Sequence, residues 1–85
     1  MQFPRIHSNG TNGRVLLNEY LDAITALENV LKAVSKITVH GRDYYTISST
    51  AASTTFAKHI KHLQKLTNIK DELTEIALNI QKQLP

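Results

Sequence analysis

Lys58, Lys61, His62 and Lys65 are the residues whose type and spacing come nearest to a chemistry. On a helix turning about 100° per residue they fall within about 100° of one another, opposite Phe56 and Ile60. No acid lies between Tyr44 and Lys70, so this sector reads as a positive stripe. Lysines at turn spacing can follow a phosphate backbone. Arg42, Tyr44 and Tyr45 in the adjoining stretch could add stacking surfaces for unpaired bases. The plainer reading is a solvated helix face, and it is preferred, because a formal net charge of +3 is small for a dedicated nucleic-acid binder. For Tyr44 and Tyr45 a structural role comes first: in an extended stretch one ring faces the helices and the other faces outward, towards a partner.

Three other constellations carry less. His59 and His62 stand three apart and could share a metal, with His7 and His40 in loops as further ligands. The surrounding lysines repel a divalent cation, however, and a carboxylate to orient the imidazoles is missing from this stretch, so no metal is expected. The Asn9-Gly10-Thr11-Asn12-Gly13-Arg14 turn could present backbone N–H groups to an anion, yet it lacks the Gly-Lys-Ser/Thr ending of a P-loop, and helix capping explains the same residues. His40 and Asp43, with Ser48, Ser49 or Ser53 as nominal partners, are the nearest approach to a catalytic pair. Two helices in 85 residues offer little material for a water-excluding cleft. The expectation is therefore no enzyme and no cofactor.

The elements that must position these residues follow from length and pattern. The 85 residues make one small domain, 1–85, without cysteine, so disulfide scaffolds, thiolate metal sites and cysteine nucleophiles are excluded together. At this size a single core is marginal, which makes self-association an expectation. No 18-residue apolar run and no signal-peptide layout is found, and the chain reads as soluble and cytoplasmic.

Over residues 14–36, Leu17, Tyr20, Ile24, Leu27, Leu31 and Val34 alternate at three and four, and Leu16, Leu21, Ala23 and Val30 widen that stripe beyond a thin coiled-coil seam. Thr11 or Asn12 can cap the start. Residues 37–47 place β-branched and aromatic residues on both sides of His40-Gly41-Arg42-Asp43, which suggests a short β-hairpin or a folded loop. A second helix over residues 51–84 carries Phe56, Ile60 and Leu63 on one face and Ile69, Leu73, Ile76 and Ile80 on another, because three consecutive steps of three make the stripe precess. A break at Thr67-Asn68 is the alternative to a continuous helix. Continuity is preferred because no Gly or Pro stands there.

Ile6-His7-Ser8-Asn9-Gly10-Thr11 before a leucine-rich helix, with Gly41-Arg42-Asp43-Tyr44-Tyr45 after it, resembles a group of small uncharacterised phage and bacterial proteins. The resemblance covers the first half of the chain. It implies a helical hairpin with a structured connecting loop and no assigned activity. The fold expected is mainly α, an antiparallel two-helix hairpin that completes a four-helix bundle as a homodimer. The function expected is a non-enzymatic interaction or structural module, with a protein partner and a small basic nucleic-acid binder as the competing class.

Overall fold

The computed structural model describes residues 1–6, 12–38, 43 and 50–85. Among the described residues the fold consists of two helices, α1 over Gly13–Ser35 and α2 over Ala51–Gln83, each within one residue of the bounds read from periodicity. No strand occurs among the described residues. The suggested hairpin over residues 37–47 lies mostly outside them.

Asn12 starts α1 as the sequence allows: its backbone is extended, and its side-chain Oδ1 accepts hydrogen bonds from the amides of Arg14 at 2.9 Å and Val15 at 3.4 Å. Two of the donors that a helix start leaves unpaired are thereby satisfied. At the other end, the Lys36 and Ile37 amides reach back three residues to the carbonyls of Ala33 and Val34, and this tightened turn closes the helix.

α2 begins at Thr50, whose side chain makes no capping bond. The Thr50 carbonyl instead accepts from the Thr54 amide and the Ser53 hydroxyl, each at 3.0 Å. The helix then runs through Thr67 and Asn68 without a break, which settles the choice between a continuous and a broken segment. Thr74, a β-branched residue in mid-helix, turns its hydroxyl onto the Lys70 carbonyl at 2.8 Å, so its polar atom needs no partner outside the helix.

The helices are antiparallel neighbours: Gly13 sits beside Leu84, and further along Val34 shares a groove with His59 and Leu66. Among the described residues the buried apolar side chains are Ile24, Ala77 and Ile80, with Ile80 fully enclosed. Gly13 is buried with them. A Cβ at that position would stand 2.6 Å from Leu84 Cδ2 and 3.1 Å from Ile6 Cγ2, so the missing side chain is what lets the N-terminal arm and the end of α2 converge there. The Gln83 carboxamide fastens the arm. Its Oε1 accepts from the Ile6 amide and its Nε2 donates to the Pro4 carbonyl, both at 2.8 Å, while Nε2 also donates to Asn79 Oδ1 at 3.0 Å. Accepting from residue 6 and donating to residue 4, the side chain does what a residue on an adjacent parallel strand would do.

The residues that α2 turns towards α1 differ from its most apolar set. Near the chain termini they are Leu73, Ala77, Ile80 and Leu84, whereas near the connection they are Ala52, Thr55, His59, Leu63 and Leu66. Phe56 and Ile60 point away, with Phe56 55% exposed. A straight helix cannot aim two precessing faces at one neighbour, and the end with more apolar surface to bury fixes its rotation.

The result is a rod 61 Å long with a radius of gyration of 18.8 Å, against about 12 Å for a compact chain of this length. Its accessible surface is 6569 Å², where a compact monomer of this mass exposes about 5,000 Å².

Candidate interaction surface

A two-helix hairpin has two broad faces, each a groove between the helices, and here they differ in chemistry. On one, Leu17, Leu21 and Ile24 of α1 meet Thr74, Ala77 and Leu78 of α2, interrupted by Glu28, Lys70, Asp71 and Gln81. The stripe of α1 on this side fails at Glu28 and again, seven residues on, at Ser35.

On the other face, Leu16, Tyr20 and Ala23 of α1 lie beside Leu73 of α2. Leu16, Ala23, Val30 and Ile37 recur at intervals of seven and interleave with Tyr20, Leu27 and Val34, so α1 carries a second heptad seam without a polar interruption. α2 answers on the same side with Leu66, Ile69, Leu73, Ile76 and Ile80, again at alternating steps of three and four. Much of this seam is uncovered: Val30 is 42% exposed, Ile69 47% and Ile37 57%. Towards the connection the face ends in a groove of about 390 Å³ with apolar walls from Val34, Ile37 and Leu66 and a rim from His59, His62 and Lys65.

Charge divides the rod lengthwise. The half of the two helices next to the connection carries Lys32, Lys58, Lys61 and Lys65, with Lys36 just past the end of α1, against one acid, Glu28. The half next to the chain termini carries Glu19, Asp22, Asp71, Glu72 and Glu75 against Arg14, Lys70 and Lys82, with Arg5 in the arm beside them. One pole is positive and the other is nearly neutral.

The residues singled out by sequence fall as follows. Lys58, Lys61 and Lys65 are exposed on one sector of α2, flanking the groove that ends at His62. His59 is half-buried against α1 and His62 is exposed. Among the described residues no three His, Asp, Glu or Cys side chains converge as a metal site would require. Asp43 is exposed, and Arg42, Tyr44, Tyr45, His7, His40, Ser48, Ser49 and the Asn9-Gly10-Thr11 turn lie outside the described residues. No described helix is long and apolar enough to cross a membrane. The second heptad seam was missed as a feature of its own, although Leu16, Ala23 and Val30 stood out as a widening of the first. The recurrence of seven through Ile37 is the signal that reveals it. No protein-family model, no curated protein and no solved structure matches the chain.

Proposed function

We propose that this chain is a non-enzymatic interaction module that works as a homo-oligomer, a helical hairpin whose second apolar seam is covered by another copy in a four-helix bundle. The observation that carries the reading is the uncovered seam on a rod that buries only Ile24, Ala77 and Ile80 among its described apolar side chains. The accessible surface exceeds that of a compact monomer by about 1,500 Å², whereas a stable interface takes about 800 Å² from each partner. The resemblance of the first half to small phage and bacterial proteins makes an accessory protein of phage origin the context proposed. Sedimentation equilibrium between about 1 and 100 μM is the test: a dimer mass, with a melting temperature that rises with concentration, is expected. A monomer mass throughout, with melting independent of concentration, rejects the reading.

The competing class, a small nucleic-acid binder, is favoured by one observation, the exposed sector of Lys58, Lys61 and Lys65. Phosphate contacts by these lysines give a binding constant that falls steeply with salt. A gel shift with single-stranded and duplex nucleic acid at about 50 mM salt, where such contacts weigh most, is expected to show no complex. A complex whose salt dependence flattens on replacing the three lysines by glutamine would establish this reading instead.

A further inference from the structure

We infer that the groove at the connection end of the rod binds a small anionic amphiphile, a single alkyl chain ending in a carboxylate. The inference goes beyond the homo-oligomeric reading and does not need it, because every wall of the groove belongs to one copy. Shape, wall chemistry and charge point to the same occupant.

The groove holds about 390 Å³ between Val34 and Ile37 on one side and His59, His62, Lys65 and Leu66 of α2 on the other. From His59 to Leu66 it runs about two helical turns, about 10 Å at 1.5 Å per residue. An α-helix, about 10 Å across, would need about twice that volume over the same length, so a partner helix does not seat in it. An extended alkyl chain does. The volume lies at the small end of the range for ligand pockets, about 300 to 1,000 Å³.

Val34, Ile37 and Leu66 give the groove apolar walls, and Ile37 is 57% exposed, so hydrophobic surface is left against water there. Methylene groups laid along these walls leave water, each strengthening binding by up to about fourfold. At the rim, Lys65 and the two imidazoles supply N–H donors to the head of the ligand.

Charge selects that head. None of the six residues lining the groove is an acid. Lys58 and Lys61 flank it in the sector of Lys65, and Glu28, the one acid in this half of the two helices, lines the opposite face beside Lys70 and Asp71. A cationic head is repelled here, a neutral one gains nothing from the ammonium groups, and a carboxylate accepts charge-assisted hydrogen bonds from them. The other two grooves between the helices carry carboxylates of their own, Glu19 beside Leu16 and Tyr20, and Glu28 with Asp71 beside Leu21 and Leu78. An anionic amphiphile is therefore directed to the connection end.

Decanoate below its micelle concentration is the probe, titrated into the full chain and followed by amide and methyl chemical shifts. Saturating shifts at Val34, Ile37 and Leu66 are expected, and octanoate, with a shorter tail, should bind several-fold more weakly. Decyltrimethylammonium has the tail of decanoate and the opposite charge, and it should leave these signals unsaturated over the same range. Lys65→Gln should weaken decanoate by up to about fivefold, the strength of one exposed charge pair. Ile37→Ser should also weaken it, whereas Leu78→Ser on the opposite face should not; all three side chains are exposed, so the helix pair survives each change.

Equal affinity for the two amphiphiles overturns the inference, as do shifts centred on Leu21 and Leu78 or the absence of any saturable shift. Vesicles of equal parts phosphatidylserine and phosphatidylcholine are expected not to carry the chain down on sedimentation. Vesicle binding in place of saturable decanoate binding makes a bilayer surface the partner and overturns the free amphiphile. A monomer mass for the parent chain rejects the homo-oligomeric reading and leaves the groove and its ligand as they stand.

Discussion

The two ends of the rod are made from the same two helices and are held to very different degrees. Next to the termini, Gly13, Ile24, Ala77 and Ile80 are buried, the Gln83 carboxamide locks the N-terminal arm in place and Asn12 caps α1. Next to the connection no residue in either helix reaches that degree of burial, α2 offers Thr55 and His59 to its neighbour, and Phe56 and Ile60 face solvent. The difference shows that a helix does not need local packing along its whole length. Once one half is fixed in rotation, the other is carried with it, and its side chains take whatever environment results. Burial in this hairpin is therefore concentrated at one pole, and positive charge is concentrated towards the other.

The largest expected effect breaks the packed pole. Ile80→Ala removes the fully enclosed side chain and should cost about 2 to 5 kcal/mol, enough to unfold a marginal hairpin, while Phe56→Ala at the other pole should cost less than about 1 kcal/mol. Chemical denaturation of the two variants side by side measures the contrast, and equal losses would erase it.

A smaller effect tests the strap. Gln83→Ala removes both bonds to the arm and should cost about 1 kcal/mol, with faster hydrogen exchange at the Ile6 amide and little change at the distal end of α2.

The smallest sharpens the comparison from the other side. His59→Leu puts an apolar group where α2 already turns half-buried towards α1, and it should raise stability by up to about 1 kcal/mol by extending the packed region along the rod. A fall in the denaturation midpoint would mean that the imidazole does more there than occupy space.

Much of this arrangement was legible in the sequence. The three-four alternation of Leu17, Tyr20, Ile24, Leu27, Leu31 and Val34 fixed α1 and its core face, and the lack of Gly or Pro near Asn68 argued for one continuous α2. Asn12 was a visible cap because capping is decided within three residues. The seam that α2 presents to α1 could not be read the same way. Its residues include Thr55, His59 and Lys70, which periodicity assigns to solvent, and only the burial of Ala77 and Ile80 dictates the rotation that brings them inward. The Gln83 contact was equally silent, since it joins positions 77 and 79 residues apart and no local pattern marks a glutamine that will act as a strand. Of the candidate site, the lysine sector was plain from spacing.

The Gln83 clasp has a mechanical consequence. It holds both ends of the chain at one pole, so a load applied through residues 4 and 85 pulls first on two hydrogen bonds and then opens the helix pair from that pole towards the connection. Such a load peels contacts a few at a time rather than shearing the whole interface at once. A hairpin tethered by its two ends should accordingly yield at low force, in one early step as the clasp releases and then by progressive unzipping, while the same hairpin pulled along the rod from opposite poles should resist far more.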